Sequence, residues 1–223
     1  MARPRAFDER HVLERAREQF WATGYAGTRM DDISRATGLG KGSLYGAFGD
    51  KAGLFHRVFD DWCTAVVEVA REHLTGGPDA EALDRLSGYV HLMAENSASD
   101  TERRGCLLAK GAAELAHQDP AVAGRSAEAM RALLALLRTE ISAAQRHGDI
   151  DRDADPEALA ALLLTVVRGA EAVGKAGLAP ETLRTVANTA LGLLPLTGGR
   201  RRATERGPSG EDQGTCAARR SPP

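Results

Sequence analysis

From Gly38 to Phe55 the chain reads GLGKGSLYGAFGDKAGLF, and no other stretch constrains the fold as much. A glycine in a helix interior costs about 1 kcal/mol relative to alanine. With glycines at 38, 40, 42, 46, 49 and 53, only one short helix fits here, from about Lys41 to Phe48. Leu44, with Ala47 or Phe48, gives that helix an inward side, and Gly49-Asp50 restarts the chain into a longer one. The glycines carry a cost that local helix energetics do not offset, so their reason lies in what this surface meets.

The flanking sequence supplies the frame for such a helix. Asp8 is a good N-cap for a first helix in which Val12, Leu13, Ala16, Phe20 and Trp21 recur at the three-to-four spacing of one buried face, and Gly24 ends it. Thr28 is expected to cap a short second helix that points Met30, Ile33 and Ala36 inward and closes at Gly38. Asp50 caps a fourth helix, roughly Lys51 to Leu74, whose stripe of Leu54, Phe55, Val58, Phe59, Trp62, Val66 and Val69 outreaches the first three. TGGP, Thr75 to Pro78, breaks it.

Helical patterns follow at about 80–96, 102–117, 119–147, 155–177 and 180–195, making about nine helices. Aromatic residues are only 4% of the 223 and 43% are hydrophobic, with Ala, Leu, Arg, Glu and Gly prominent and few runs of Val, Ile and Thr. The fold class is therefore all-α. From residue 198 the sequence turns to Gly, Pro, Ser and charge without apolar period, which reads as a disordered tail over 198–223.

The net charge of -2 is unevenly spread. Residues 1–55 carry nine Lys and Arg against seven acids, residues 56–197 fourteen against twenty-one, and the remainder six against three. A mildly basic head on an acidic body suits a polyanionic partner for the head, although a solvated mixed-charge surface fits the same numbers. No apolar run is long enough to span a membrane and the N-terminus lacks a secretory signal, so a cytoplasmic location is expected. Cys63, Cys106 and Cys216 are odd in number and far apart, which argues for reduced thiols.

Two short helices joined by a glycine turn and packed on a longer first helix make a helix-turn-helix, whose second helix enters the DNA major groove. Gly42 then admits DNA close to the backbone, Lys41 and Ser43 offer donors to bases or phosphate, and Tyr45 and Lys51 suit phosphate. GYAGTRMDDISRATGLGKGSLYGAFGDKAGLF resembles the DNA-binding domain of the TetR family of transcriptional repressors. The resemblance is carried by Gly24, Tyr25, Thr28, Ile33, Ala36, Gly38, Lys41, Gly42, Tyr45, Phe48 and Lys51. RRGCLLAKGAAELA, from Arg103, and DPEALAALLLTVVRGAEAVGKAGLAPETLRTV, from Asp155, look like one group of the family's ligand-binding domains.

That resemblance implies a DNA-binding domain at 1–55, a ligand-binding and dimerisation domain at 56–197, and a homodimer through the last two helices, about 155–195. It implies an operator as partner, a small-molecule effector of unknown identity, and DNA contacts from Thr28, Arg29, Lys41, Gly42, Ser43, Tyr45 and Lys51. The chain departs from the family where Gly40 stands for a capping Ser, where Gly46 and Ala47 replace an aromatic and a His, and where Arg29 replaces a second Thr. Arg29 and the arm Ala2 to Arg5 are then candidates for the missing phosphate contacts.

In the body, Leu92, Met93, Cys106, Leu107, Met130, Leu133, Leu134, Leu137 and Val166 are candidate pocket residues, a set that would equally describe a helical core. Cys106 follows Gly105 at an expected helix start near Arg103 and Arg104, which would suit a reactive, redox-sensing thiolate, with Lys175 a potential partner; a small buried hydrophobe is the other reading. His91, His117 and His147 lack ligand spacing, and no nucleophile elbow, P-loop or dinucleotide fingerprint is present, so no metal, cofactor or enzymatic activity is expected. The expected function is ligand-responsive repression, the alternative a helical small-molecule or thiol-stress sensor without direct action on DNA.

Overall fold

Asp8 accepts hydrogen bonds from the backbone N–H groups of Arg10 at 3.0 Å and His11 at 3.5 Å, and so starts α1, Glu9–Gly27. In the computed structural model, which describes residues 7–197, α1 is interrupted at Gly24, where φ is 76° and ψ 175°. Helix α2, Met30–Thr37, ends at Gly38 with φ 70°, a left-handed conformation that glycine adopts without a Cβ penalty. Helix α3 is Lys41–Phe48 and α4 is Lys51–Leu74, started by Asp50, whose carboxylate accepts from Gly53 N–H at 2.7 Å. The arm at 2–5 and the tail from 198, including Cys216, lie outside the described residues.

After a 3-10 turn at Asp79–Glu81 the body follows as α5 (Ala82–Ala98), α6 (Leu107–Leu115), α7 (Pro120–His147), α8 (Pro156–Lys175) and α9 (Pro180–Gly192). These nine helices carry the described residues, and one isolated antiparallel bridge, Ile150 to Leu196, ties the chain after α9 to the end of α7. Proline opens α7, α8 and α9, where its missing N–H leaves nothing unpaired, and Asp119 and Asp155 cap the first two.

Three expectations change. Thr28 is not the N-cap of α2: it is 1% exposed, its hydroxyl donates to Gly24 O at 2.7 Å, and the cap is Arg29, whose N–H donates to the Asp32 carboxylate at 3.0 Å. The helix expected from 102 begins at Leu107, because Arg103 and Gly105 adopt φ of 53° and 64° and the chain from Ser99 to Cys106 is a loop. Trp21, read as core, is only partly buried.

One hydrophobic core runs from head to body. Ile33, Leu44 and Phe48 pack α2 and α3 onto α1 and α4, and Phe20 meets Phe55 edge-on with centroids 5.1 Å apart. Phe55 then stacks near Phe59 at 5.4 Å, carrying the core along α4 to its contact with α7, while α5 packs on α8 and α9. No helix among the described residues is long and apolar enough to cross a membrane.

Candidate nucleic-acid interface and effector cavity

Helix α3 buries Leu44 and Phe48 and leaves Lys41, Gly42, Ser43, Tyr45 and Gly46 exposed, so the face away from the core is nearly bare backbone. The glycines of this region divide by physical need. Gly38 and Gly49 have φ of 70° and 81°, and a Cβ at Gly53 would lie 2.2 Å from Phe48 O, so the fold itself demands them. Gly42 and Gly46 are helical, and a Cβ on either would meet nothing within 4 Å. Nothing among the described residues requires glycine at these two positions.

Lys41 Nζ sits 2.6 Å from Asp31 Oδ1 on α2, and that hydrogen bond holds its ammonium pKa above the ordinary lysine value. Tyr45 is 44% exposed on the same face, and Arg29 is exposed at the start of α2. Lys51, expected to suit phosphate, stands half-buried at the start of α4. Its Nζ lies 4.2 Å from the Tyr25 ring centroid, burial pulls its pKa down, and the Asp50 carboxylate already takes Gly53 N–H at that terminus. Thr28 is spent on the turn, as above. The exposed candidates therefore gather on Arg29, Lys41, Gly42, Ser43 and Tyr45.

Head and body are joined through α1 as well as α4. Glu114 on α6 accepts from Tyr25 N–H at 2.7 Å and Ala26 N–H at 3.2 Å, serving as the cap that the helical turn after Gly24 would otherwise lack. A Cβ at Gly24 would sit 2.2 Å from Glu114 Oε1, so the approach depends on glycine. Trp21 Nε1 donates to Gly105 O at 2.6 Å, Lys110 donates to Trp21 O, and Arg104 pairs with Glu18 at 2.8 Å while covering the Trp21 ring at 3.9 Å.

Behind this seam lies a cavity of about 480 Å³. Trp21 of α1, Trp62, Val66 and Val69 of α4, Met93 of α5, the loop at Gly105-Cys106, and Arg168, Glu171 and Lys175 of α8 line it. Of the pocket residues expected from sequence, Met93 and Cys106 belong to it. Leu107, Leu133 and Leu137 are 1% exposed in the core, and Leu92, Met130, Leu134 and Val166 lie off the wall. A second hollow of about 410 Å³, between α1 and α4, is walled largely by charged side chains, including the Arg57–Glu9 pair at 2.8 Å.

Cys106 is the N-cap of α6, but the charge pattern expected to activate it is not the one around it. Burial and then Glu171 push its thiol pKa up, and Arg168, whose Nη1 donates to Sγ at 3.4 Å, pulls it down by less. Burial pushes the Cys63 thiol up to about 12. The residues missed by sequence reading are Trp62, Arg168 and Glu171; the two charges in the otherwise apolar run of α8 were the available signal.

A bare helix presented behind a glycine turn and steadied by a three-helix head, with a cavity in the helical body behind it, defines a helix-turn-helix regulator. The family model described as bacterial regulatory proteins, tetR family, matches residues 12–58, and that of the tetracyclin repressor-like C-terminal domain matches 82–190. The chain belongs to the TetR family of transcriptional regulators. It is similar to the HTH-type transcriptional repressor ComR of Escherichia coli (strain K12), 27% identical over 195 residues, 86% of this chain and 91% of that protein. It is also similar to the transcriptional regulator AcuR of Cereibacter sphaeroides, 28% identical over 180 residues, 77% of this chain and 78% of that one. Among solved structures, a cysteine mutant of the TetR family regulator CifR, complexed with 26-bp operator DNA, is 30% identical at TM-score 0.73. It covers 86% of this chain and 100% of its own.

Proposed function

We propose that the chain is a repressor that binds a palindromic operator as a homodimer and is released by a small molecule held in the cavity behind Trp21 and Trp62. The observation that carries the DNA half is the face of α3: Lys41, Ser43 and Tyr45 stand exposed beside glycines at 42 and 46, where a Cβ would meet nothing within 4 Å, which leaves the helix backbone open to a close partner. DNA backbone and bases are such a partner, with Lys41, Ser43 and Tyr45 as donors.

The dimer reading is supported by α8 and α9. The outward side of α8 carries Ala158, Leu162, Thr165, Gly169 and Val173 without a charge, and Leu162 and Val173 are each 42% exposed. Leu193, at the end of α9, is 69% exposed. Two small-residue faces of this kind suit close helix packing between copies. Pairing there sets the separation of the two α3 helices, which a palindrome reads as about one turn of DNA, roughly 34 Å, or a multiple.

Release follows if the ligand prefers a dimer shape with the wrong spacing. The cavity touches α1, α4 and α8, so a ligand meets both helices that enter the head and one that sets the dimer. A gel shift with the DNA upstream of the chain's own gene tests the reading. Retardation by the wild type, lost in a Lys41→Ala, Tyr45→Phe variant, is the expected result. No retardation with intact, dimeric protein would leave the helical sensing module as the better account.

A further inference from the structure

Residues that line the cavity carry buried donors for which the described residues supply no acceptor. Arg168 Nη1 donates to Cys106 Sγ at 3.4 Å and lies 3.1 Å from Glu171 Oε2, an ion pair in which that oxygen accepts no hydrogen bond. Its Nε and Nη2 are buried with no hydrogen-bond acceptor, and so is Nε1 of Trp62. The neighbouring Trp21 shows the ordinary arrangement, with its indole N–H on Gly105 O at 2.6 Å. A buried polar group left without a partner costs about 1–3 kcal/mol, more when charged; four such donors, Arg104 Nε among them, and the acceptor Glu171 Oε2, all on residues of one cavity wall, call for an occupant.

The unused edge of the guanidinium identifies the chemistry. Glu171 Oε2 lies 3.1 Å from Nη1 as an ion pair without a hydrogen bond, and Nε and Nη2 remain, the parallel pair that matches the two oxygens of a carboxylate. Asp100 does not fill that place, since its carboxylate accepts from Gly105 N–H at 2.8 Å, and Lys175 adds positive charge to the wall. The apolar part of the wall is Trp21, Trp62, Ala65, Val66, Val69 and Met93, with Asn96, Ser97, Ser99 and Arg104 completing it.

We infer that the effector is a small organic carboxylate, its carboxylate seated on the Nε–Nη2 edge of Arg168 within reach of Trp62 Nε1, and its short apolar body against Trp62, Val66 and Met93. This rests on the cavity being the effector site proposed above. A cavity of about 480 Å³ is within the range for small-ligand sites and would hold a molecule of benzoate's size.

The chain has two tryptophans, and both line this cavity, so its tryptophan emission reports on the occupant. The test titrates the full-length protein with benzoate and hexanoate and with benzamide and hexanamide as neutral matches. Saturable emission changes are expected for the carboxylates, with the amides weaker by about tenfold or more. R168Q alone leaves Glu171 buried without its partner, so R168Q/E171Q is run beside it. In the double variant the carboxylates should lose their advantage over the amides, while the thermal transition shows a folded protein. Trp62→Phe, which keeps an aromatic ring in place of the indole and removes the N–H, leaves Trp21 as the reporter and should weaken carboxylates several-fold and amides less.

Amides binding as tightly as acids, full carboxylate preference in R168Q/E171Q, or no emission change with either acid at millimolar concentration would each overturn the inference. Operator binding is measured separately. Protein that holds operator and is indifferent to both acids refutes the carboxylate and leaves the repressor reading standing. Protein that takes up benzoate selectively and never binds operator refutes the repressor reading alone.

Discussion

Replacing Gly42 and Gly46 together by alanine should make the protein more stable and a poorer DNA binder. Both lie in α3, neither has positive φ, and a Cβ at either meets nothing within 4 Å. The interior helix advantage of alanine over glycine is about 1 kcal/mol. Gly42 is in the first turn and Gly46 in the last of an eight-residue helix, where the advantage is reduced to about 0.5 kcal/mol each. The double variant should therefore gain about 1 kcal/mol, a rise in Tm of about 2–4 °C for a chain of this size. The same two methyl groups would stand where DNA approaches the backbone, and operator affinity should fall by at least about tenfold, the equivalent of 1.4 kcal/mol. Thermal melts by circular dichroism and operator binding by fluorescence anisotropy give the two numbers. Unchanged operator affinity would refute clearance as the reason for these glycines. A lower Tm would refute the premise that the space above them is open.

Other consequences concern charge and the seam. Asp31→Asn frees Lys41 from its 2.6 Å pair, so operator affinity should rise and the slope of log K against log salt steepen by up to about 0.9; an unchanged slope in a salt titration argues against a phosphate role for Lys41. Glu114→Gln removes the carboxylate that takes the N–H groups of Tyr25 and Ala26, and unfolding should lose about 1–2 kcal/mol in urea titration; wild-type stability would contradict the capping role. Burial raises the Glu171 pKa in the folded protein above its value in the unfolded chain, so the stability linked to its proton is present below the ordinary carboxylate pKa and lost as pH rises through the folded value. Melts of wild type and Glu171→Gln across this range should show the wild type falling relative to the variant as pH increases, and a constant difference would count against it. Cys63 and Cys106, whose thiols are pushed up by burial, should react with iodoacetamide at pH 7.5 only on unfolding, and rapid native labelling of Cys106 would restore the sensing thiol.

What could be read from the sequence depended on how local its cause was. Asp8, Gly38, Asp50 and the break at Thr75 act within a few residues of themselves, and the structure has them where their chemistry puts them. Thr28 looked like a cap because a threonine before a helical pattern usually is one. The hydroxyl instead closes the Gly24 turn, a choice that rests on Glu114, 86 positions away in sequence and bonded to the adjoining N–H groups. The start of α6 was misread because Glu102 to Arg104 continue a helical composition, and only the positive φ at Arg103 and Gly105 separates them from it.

The cavity escaped for a different reason. Apolar period marks the side of a helix that is covered, so Leu133 and Leu137 of α7 fit a pocket wall by pattern and are core in the structure. A cavity wall is made where covering stops, here by an aperiodic loop, two tryptophans from different helices and charges set among alanines. Lys51 shows the same limit on the DNA side. Its position is shared with the family, yet the Tyr25 ring beneath it decides where its charge points.

The bond from Glu114 to the turn after Gly24 also bears on how such regulators are taken apart and recombined. A head cut at residue 55 would leave behind the carboxylate that finishes its first helix and the carbonyl that holds Trp21. A chimaera that grafts this head onto another body would need that body to present a carboxylate where Glu114 stands and a backbone acceptor where Gly105 stands. Without them, the graft would carry the recognition helix intact on a loosened frame, and its fault would show as poor operator spacing rather than as altered base preference.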